Sequence, residues 1–400
     1  MIRPMLHLFI CTLCLATASL EAGEYSKDWQ AFEKEVEKSY PFFKEKGIAG
    51  DWKKAKPALR AKADACTDDS SFMQLVDEAL RLMRDGHAQI IKSRAPQEEL
   101  KPMYGLPVAF RPASGGKVIV ASAAGPVGRI LTPGTVIAKI DGIDARQALD
   151  KRAGESWKAG GYFSSPQRAA FLEYGMPLRS TETTDHTLTC HMPGTGELRA
   201  IPVRNDYARR LPVYHLPKNL ARAAGSCAHA LLPGGAGYVY LRRIQGDETA
   251  QGIEEALNKY PNVPGWVIDL RGNGGGGYTK QLDTALKKLV AGRAAVIIDA
   301  GCFSAGETFA RDLKKEGGNK VILLGAVTAG SSSSKKDWDF PSGIASIRFS
   351  VASRKGIKGK PIEFYGVVPD IAVEAEPEDI TGGLDTEIIK AEQHVLGKRA

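Results

Sequence analysis

The sequence predicts an α/β fold in the C-terminal half of the chain, where helices are expected to cover a largely parallel sheet. Short apolar runs recur there, and stretches with helical periodicity lie between them. This alternation is the pattern of consecutive βαβ units. The predicted strands are 237–241, 266–270, 295–299 and 321–324, with further strands within 344–373, and the predicted helices are 247–260, 279–290, 305–315 and 386–396.

The composition is that of a globular protein. The chain has 400 residues, of which 43% are hydrophobic and 25% are charged, and this length predicts two or three domains. The net charge is +8, but the lysines and arginines are scattered among acids, with no dense basic run that contains aromatic residues. Binding to nucleic acid is therefore not expected.

Residues 1–22 have the features of a secretion signal peptide. Arg3 precedes a mostly apolar stretch at 5–15, and small residues suited to cleavage follow within 16–22. The apolar stretch is too short to span a bilayer comfortably. We expect a cleaved signal and an exported protein, periplasmic or extracellular, with no membrane span after cleavage. An uncleaved anchor or a lipid on Cys14 is the less favoured alternative.

The cysteines downstream of the signal have no zinc-ligand or CxxC spacing, so no metal is predicted. An exported compartment permits disulfides, and all three full pairings of four cysteines stay open. Cys302 is better explained as a buried core thiol than as a catalytic group. The four cysteines are Cys66, Cys190, Cys227 and Cys302.

The rest of the chain divides into three regions by the periodicity of its apolar residues. Residues 23–102 have mostly helical spacing, with an amphipathic run at 72–83 that is expected to stop at Gly86. Residues 103–205 contain short β-rich runs separated by Gly, Pro, Asp and Thr, which is typical of a small β domain. Residues 206–400 hold the α/β pattern.

A glycine-rich turn follows the second strand of the α/β pattern. Residues 271–277 contain Gly272-x-Gly274-x-x-Gly277, which formally matches a dinucleotide-binding fingerprint, with Asp299 as a late candidate for its acid. The Gly-Lys-Ser/Thr of a phosphate loop is absent. A tight glycine turn is a simpler interpretation than dinucleotide binding. A third interpretation is an oxyanion hole made of exposed backbone N–H groups.

Ser304 follows the next strand and precedes a predicted helix. Taken alone, it is best explained as a helix N-cap, with Glu307 in the capping-box position. It is also placed to act as a nucleophile, with the N–H of Ala305 as an oxyanion donor at the positive end of the helix. A nucleophilic serine needs a base, usually histidine or lysine. His87 is a candidate because it follows a glycine just past a helix end.

Several motifs together resemble those of the S41 peptidases, which include the C-terminal processing (tail-specific) proteases and the tricorn-protease core. They are VIDLRGNGGG at 267–276, CFSAGE at 302–307, GAVTAG at 325–330 and GVVPD at 366–370. The resemblance implies a crotonase-like α/β catalytic domain and a serine peptidase that acts on proteins or peptides without metal or organic cofactor. Residues 131–142 resemble the end of a PDZ-like domain of these proteases, so a PDZ-like domain is expected at 103–205.

The resemblance also implies roles for individual residues. Ser304 matches the nucleophile, and the N–H groups of Ala305 and of Gly274 or Gly275 match the oxyanion hole. The tricorn-like branch takes its base from the N-terminal helical segment, where this chain has His87. That branch has a serine before the histidine, where Gly86 stands here.

The group that works with the serine, a histidine oriented by a glutamate or a lysine, distinguishes the two branches. In the tricorn-like branch a glutamate before the Gly-Val-x-Pro-Asp motif orients the histidine, and Glu363 matches it. The tail-specific branch instead uses a lysine, but the matching stretch here has Ser331 in that place, and Lys335 and Lys336 follow off register. The Ser-His-Glu arrangement is thus favoured over a Ser-Lys dyad. The serine-rich stretch at 331–336 is predicted to be a mobile loop.

Two other functions fit parts of the pattern. A catalytically inactive protein that binds peptides or other ligands could use the same scaffold, because fold does not fix function. An acyl-CoA enzyme of the wider crotonase fold also uses oxyanion holes, although the export signal and the PDZ-like segment argue against it. No feature of the sequence points to a particular oligomeric state.

Overall fold

The computed structural model describes residues 23–96, 102–357 and 359–398. The predicted signal at 1–22, with Cys14, lies outside these residues. The fold is mixed α and β, as the sequence predicts. Within the described ranges, no helix combines the length and the apolar character that a membrane span requires.

The elements follow one another from the N-terminal helices through a mixed middle region to the α/β region. The helices are α1 (Glu24–Ser39), α2 (Ala49–Asp64), α3 (Asp69–Leu82), α4 (Ala145–Ala159), α5 (Pro166–Gly175), α6 (Asp247–Lys259), α7 (Lys280–Leu289), α8 (Ala305–Gly317), α9 (Pro377–Thr381) and α10 (Thr386–Val395). The strands are β1 (Gln89–Ser93), β2 (Tyr104–Gly105), β3 (Val108–Ala113), β4 (Lys117–Ala123), β5 (Val136–Ile140), β6 (Ile143–Asp144), β7 (Asp185–His191), β8 (Leu198–Arg204), β9 (Asp206–Tyr207), β10 (Ala221–Arg222), β11 (Cys227–Leu231), β12 (Gly237–Leu241), β13 (Ile244–Gln245), β14 (Gly265–Asp269), β15 (Gly276–Gly277), β16 (Arg293–Ile298), β17 (Val321–Gly325), β18 (Ser333–Asp339), β19 (Ala345–Ser353) and β20 (Ile371–Ala372).

Helix α3 carries the chain towards the predicted base. Asp68 caps its N-terminus by accepting a hydrogen bond from the Ser71 N–H at 2.9 Å. The helix ends at Leu82, and the left-handed residue that follows it is Arg84, with φ 48°. The predicted helical run at 72–83 is thus confirmed to within one residue at its end, but the stop expected at Gly86 is made at Arg84.

Strand β1 lies in the region that was predicted to be mostly helical. It pairs antiparallel with β19, and β18 completes a three-stranded sheet. Buried aromatic side chains of α1, α3 and this sheet, including Phe32, Phe72 and Phe349, share one hydrophobic core. The N-terminal helices are therefore packed onto the C-terminal part of the chain, which brings the residues after α3 close to the α/β region.

The middle region contains a sheet with the strand order β3-β4-β5-β7-β8 and two helices that the β-rich prediction missed. Asp144 caps α4 by accepting from the Gln147 N–H. Ser165 caps α5 by accepting from the Arg168 N–H, and Pro166 occupies the first position of that helix. The sequence thus held start signals for both helices.

The α/β region is built on a seven-stranded sheet with the order β10-β11-β12-β14-β16-β17-β20. Neighbouring strands are parallel from β12 to β20, whereas β10, β11 and β12 pair antiparallel. The strands and helices predicted within 237–324 are confirmed, with small shifts at their ends.

Successive residues of the central strands face opposite sides of this sheet. Ile268 packs into the core formed with α6, α7 and α8, and its neighbour Val267 packs into the core formed with α10. Because both faces are covered, the strands have continuous apolar runs. The carboxyl ends of the parallel strands meet at one edge, where the loops at 270–276 and 299–304 begin.

The serine-rich stretch at 331–336 is not a mobile loop, so that prediction was wrong. Ser331, Ser332 and Ser333 are buried, and β18 pairs with β19 along its length. The Ser332 and Ser333 hydroxyls are hydrogen-bonded to Thr308 and Ser350 respectively. Composition misled the prediction because these hydroxyls find partners inside the protein.

Candidate active site

Ser304 occupies a constrained turn between β16 and α8. Its φ and ψ are 54° and −119°, a conformation that costs a non-glycine residue about 1–3 kcal/mol. Its N–H donates to Glu307 Oε2 at 3.1 Å, which holds the turn against the first turn of α8. Such strain is found at sites where a side chain must be presented in one direction.

The side chain of Ser304 faces His87. Oγ of Ser304 lies 3.0 Å from Nε2 of His87, within hydrogen-bonding distance, although the two residues are 217 positions apart. The imidazole packs against the Phe303 ring, with ring centroids 4.9 Å apart. The sequence prediction that these two side chains meet is therefore matched by the geometry.

Asp85 fixes the turn that carries His87. Its carboxylate accepts from the His87 N–H at 2.9 Å and from both the N–H and the hydroxyl of Ser350 on β19, at 2.8 and 3.0 Å. Burial lowers the pKa of His87 to about 4, with Asp85 opposing the shift and Lys335 and Lys46 adding to it. The imidazole is therefore neutral at pH 7 and able to accept a proton.

Glu363 is fully buried near this turn, but it does not form the expected hydrogen bond with His87. Its Oε1 accepts from Lys46 Nζ at 2.8 Å, while its Oε2 has no hydrogen-bond partner among the described residues. Nδ1 of His87 also lacks a partner among them. The two atoms that the predicted contact would join are thus both unpaired. Burial raises the pKa of Glu363 to about 7, and Lys46 counteracts part of this rise.

The predicted oxyanion donors differ in their availability. The Ala305 N–H is the first of α8, and no acceptor for it lies within the described residues. The Gly274 N–H donates to the Arg242 carbonyl at 3.1 Å, and the Gly275 N–H donates to Asn273 Oδ1 at 2.9 Å. Only Ala305 is therefore free to donate as the structure stands, and either glycine would first have to exchange its present bond.

Gly275 nevertheless lies directly beside the serine. A Cβ placed on it would approach Phe303 O to 2.7 Å, Ser304 Cβ to 2.8 Å and Ala305 N to 3.0 Å. Its φ of 77° is in the left-handed region. Position 275 thus requires glycine for both its conformation and its contact with the Ser304 turn.

The α/β region that carries Ser304 and Glu363 matches a known protein family. The model of peptidase family S41 matches residues 235–289 and 277–373. The match identifies residues 235–373 as a region like that of the serine-type peptidases of family S41. A comparison with curated protein sequences gave no significant match.

Solved structures match the fold of nearly the whole chain. The structure of mature CPAF is 14% identical, with a TM-score of 0.63, and the match covers 94% of this chain and 98% of that one. Mature CPAF complexed with lactacystin is 13% identical, with a TM-score of 0.62, and covers 93% and 97% of the two chains. At these identities the similarity establishes the fold.

Neither lysine of the alternative dyad contacts Ser304 in the described part of the chain. Lys336 forms an ion pair with Glu35 at 2.5 Å on the N-terminal helix α1. Lys335 lies on β18, where burial lowers its pKa, and it affects the His87 pKa only through its charge. The polar side chain next to Ser304 Oγ is that of His87.

Glu307 and Asn273 support the site, and the sequence analysis gave neither a role there. The fully buried Glu307 carboxylate accepts four hydrogen bonds, and burial raises its pKa to about 7. The donors are Ser304 N–H at 3.1 Å, Ser331 N–H at 2.8 Å, Gly330 N–H at 2.7 Å and Thr328 Oγ1 at 2.6 Å. The capping-box pattern of the sequence pointed to Glu307, but it did not indicate that the carboxylate also binds residues 328–331.

Asn273 joins the loops around the serine. Its Nδ2 donates to the Leu241 carbonyl at 2.6 Å, its Oδ1 accepts from Gly275, and its carbonyl accepts from the Phe303 N–H at 2.8 Å. Asp299, the candidate ribose ligand of the dinucleotide interpretation, instead accepts from three backbone N–H groups of the neighbouring loops, those of Gly272, Gly301 and Cys302. Both side chains therefore shape the Ser304 turn.

The four described cysteines are all buried free thiols, and no disulfide links them. Burial raises the pKa of the Cys302 thiol well above its usual range. The interpretation of Cys302 as a buried core thiol is therefore confirmed by its burial.

Proposed function

We propose that this protein is a serine peptidase of family S41 that hydrolyses peptide bonds through Ser304, His87 and Glu363. The observation that carries the proposal is the 3.0 Å contact between Ser304 Oγ and His87 Nε2. A serine hydroxyl in reach of a neutral imidazole is the arrangement that activates a serine nucleophile.

The chemistry follows from this contact. Ser304 Oγ attacks the peptide carbonyl carbon while His87 Nε2 takes the hydroxyl proton. The imidazolium then gives that proton to the leaving amine as the C–N bond breaks, which leaves an acyl group on Ser304. A water molecule then attacks the acyl carbonyl while His87 takes its proton. The ester C–O bond to Ser304 breaks, His87 returns the proton to Ser304 Oγ, and the second product leaves as a carboxylic acid. Glu363 is proposed to stabilise the imidazolium through its unpaired Oε2.

The oxyanion of the tetrahedral intermediate is proposed to bind at the Ala305 N–H. The start of α8 adds a favourable partial positive charge at that point. Gly274 or Gly275 is proposed as the second donor, with its N–H leaving the present acceptor when substrate binds. The removal of one such donor costs about 100- to 1,000-fold in turnover.

We further propose that the enzyme is of the C-terminal processing or tail-specific type. In this proposal the α/β region is crotonase-like, and the middle region at 103–205 is a PDZ-like domain that presents peptide or protein substrates. The sheet of that region, with strands and two helices around a separate core, supports the idea. Strand addition is the mode by which such domains bind peptides.

Export is proposed from residues 1–22 alone. The mature protein is then expected to begin near residue 23 and to be periplasmic or extracellular. N-terminal sequencing of the protein recovered from cell fractions tests this. A chain that retains Met1 and stays inside the cell would contradict it.

Hydrolysis is tested with a mixture of peptides of varied C-termini, read by mass spectrometry. The wild-type protein should cleave a subset, and Ser304→Ala should cleave none while it keeps the wild-type circular dichroism and melting temperature. Equal cleavage by the two proteins would disprove the assignment of the nucleophile. Peptide binding without cleavage by the wild-type protein would instead support an inactive binding protein.

A further inference from the structure

A lysine does belong to this site, but it comes from the N-terminal region and contacts the glutamate instead of the serine. Lys46 lies in the turn between α1 and α2, and its side chain is completely buried. Its Nζ donates to Glu363 Oε1 at 2.8 Å, to the Tyr40 hydroxyl at 2.9 Å and to the Arg84 carbonyl at 2.7 Å. Each of the three N–H bonds of the ammonium group therefore has one acceptor.

The same contacts tie Glu363 to the turn of the base. The Tyr40 hydroxyl, which accepts from Lys46, donates to the Met83 carbonyl at 2.8 Å. Met83 and Arg84 directly follow the end of α3 at Leu82, and His87 follows three residues after Arg84. Lys46 thus fixes the position of one carboxylate oxygen relative to the backbone that carries the imidazole.

The engagement of Oε1 leaves Oε2 as the oxygen of Glu363 that can serve a further partner. Oε2 of Glu363 and Nδ1 of His87 are buried, and neither has a hydrogen-bond partner among the described residues. Buried polar atoms are rarely left unpaired in folded proteins. A carboxylate held at one oxygen by an ammonium group and free at the other is suited to stabilise an imidazolium.

We propose that Lys46 is a positioning residue of this site, which holds Glu363 ionised and oriented so that its free oxygen serves His87. The proposal rests on the proposed function, because it gives Glu363 the role described there. Lys46 acts through Glu363 and has no contact with Ser304.

The charges around Glu363 make Lys46 decisive for its ionisation. Burial and the nearby Asp85 carboxylate raise the pKa of Glu363, whereas Lys46 and the Ser164 hydroxyl lower it. Two further charged groups face it, the Glu307 carboxylate and the Lys335 ammonium, and so does the Tyr40 phenol. Without the Lys46 charge, burial and the two acids would keep Glu363 protonated at neutral pH.

The test compares Lys46→Met with the wild type by the pH dependence of kcat/KM for a cleaved peptide. Methionine has a similar length but neither charge nor donors. Lys44→Met is the matched control, because Lys44 lies exposed in the same turn. Lys46→Met should move the acid limb of the profile at least one pH unit towards alkaline pH, with activity at pH 7 at least about fivefold lower and recovered as the pH rises. Lys44→Met should leave the profile unchanged.

A uniform loss of activity at every pH in Lys46→Met, with no movement of the limb, would show a merely structural lysine and overturn the proposal. So would an unchanged profile. Lys46→Gln, which keeps a donor without the charge, serves as a second variant if the methionine variant does not fold. It should move the limb in the same direction, and an unmoved limb would again overturn the proposal. Failure of the proposed function is distinguishable, because wild-type hydrolysis would then be absent or would survive in Ser304→Ala.

Discussion

Nε2 of His87 and Oγ of Ser304 lie 3.0 Å apart, although His87 follows an N-terminal helix and Ser304 begins a helix of the α/β region. The contact depends on the pairing of β1 with β19 and on Asp85, which binds Ser350 of β19. The site is therefore assembled by packing between the two ends of the chain, and a truncated α/β region would lack its base.

The acid limb of the pH profile is expected to report Glu363. Burial lowers the pKa of His87 to about 4 and raises the pKa of Glu363 to about 7. Because activity requires neutral His87 and ionised Glu363, kcat/KM should fall as the pH drops below about 7. Glu363→Gln should lower the plateau and remove this limb, which leaves a limb near pH 4 from His87. A limb near 7 that persists in Glu363→Gln would show that another group sets it.

Glu307→Gln should disrupt the site more than the fold as a whole. The glutamine side chain has one oxygen that can accept hydrogen bonds, and its NH2 group would face donors that now bind a carboxylate oxygen. Each buried donor that loses its acceptor costs about 1–3 kcal/mol. We expect at least a 100-fold loss of kcat and a lower melting temperature. Glu316→Gln, on the exposed end of the same helix, is the control and should change neither. Wild-type turnover in Glu307→Gln would exclude the supporting role.

Gly275→Ala should lose activity because its Cβ would press on the Ser304 turn at 2.7–3.0 Å and because its φ is 77°. The positive φ alone costs an alanine about 1 kcal/mol or more. Gly277→Ala is the matched control, since no atom lies within 4 Å of its added Cβ and its φ is not positive. Peptide cleavage assays on the two variants should show a large loss only at position 275. A similar loss in both would indicate a general need for flexibility in the loop.

Arg271→Ala should destabilise the protein strongly. The fully buried guanidinium binds Asp269 at 2.6 Å and Asp385 at 2.9 Å, and its removal leaves two buried carboxylates without it. The loss of one partner of a buried ion pair costs about 3–5 kcal/mol. Arg204→Ala, which removes an exposed pair with Asp185, should cost less than about 1 kcal/mol. Thermal melts of both variants test this, and equal melting temperatures would contradict it.

The sequence predicted the parts of the protein that follow from local pattern. The strands and helices around Ser304 were found because apolar runs and helical periodicity alternate there. The approach of His87 to Ser304 came only from the family resemblance, since no local pattern encodes a contact over 217 residues. Lys46 was missed for the same physical reason. Its neighbours in the sequence give no hint of Glu363, and an isolated lysine in a turn is normally exposed.

Other differences arose where polar residues are buried. Ser331–Ser333 were read as a loop because serine is usually exposed, yet they are buried beside Glu307 and β19. Helices α4 and α5 were missed because the β-rich runs around them dominated the reading of that region. The caps Asp144 and Ser165 were visible, but their significance depended on the packing of the helices that they begin.

The rate at which a fluorophosphonate labels Ser304 tests the central claim, that His87 activates Ser304, most directly. The adduct is located by mass spectrometry on the peptide that contains Ser304, in the wild type, in His87→Ala and in Lys335→Ala. The account predicts labelling of Ser304 in the wild type, an equal rate in Lys335→Ala and a rate at least about 100-fold lower in His87→Ala. Wild-type labelling in His87→Ala, or its loss in Lys335→Ala, would contradict it.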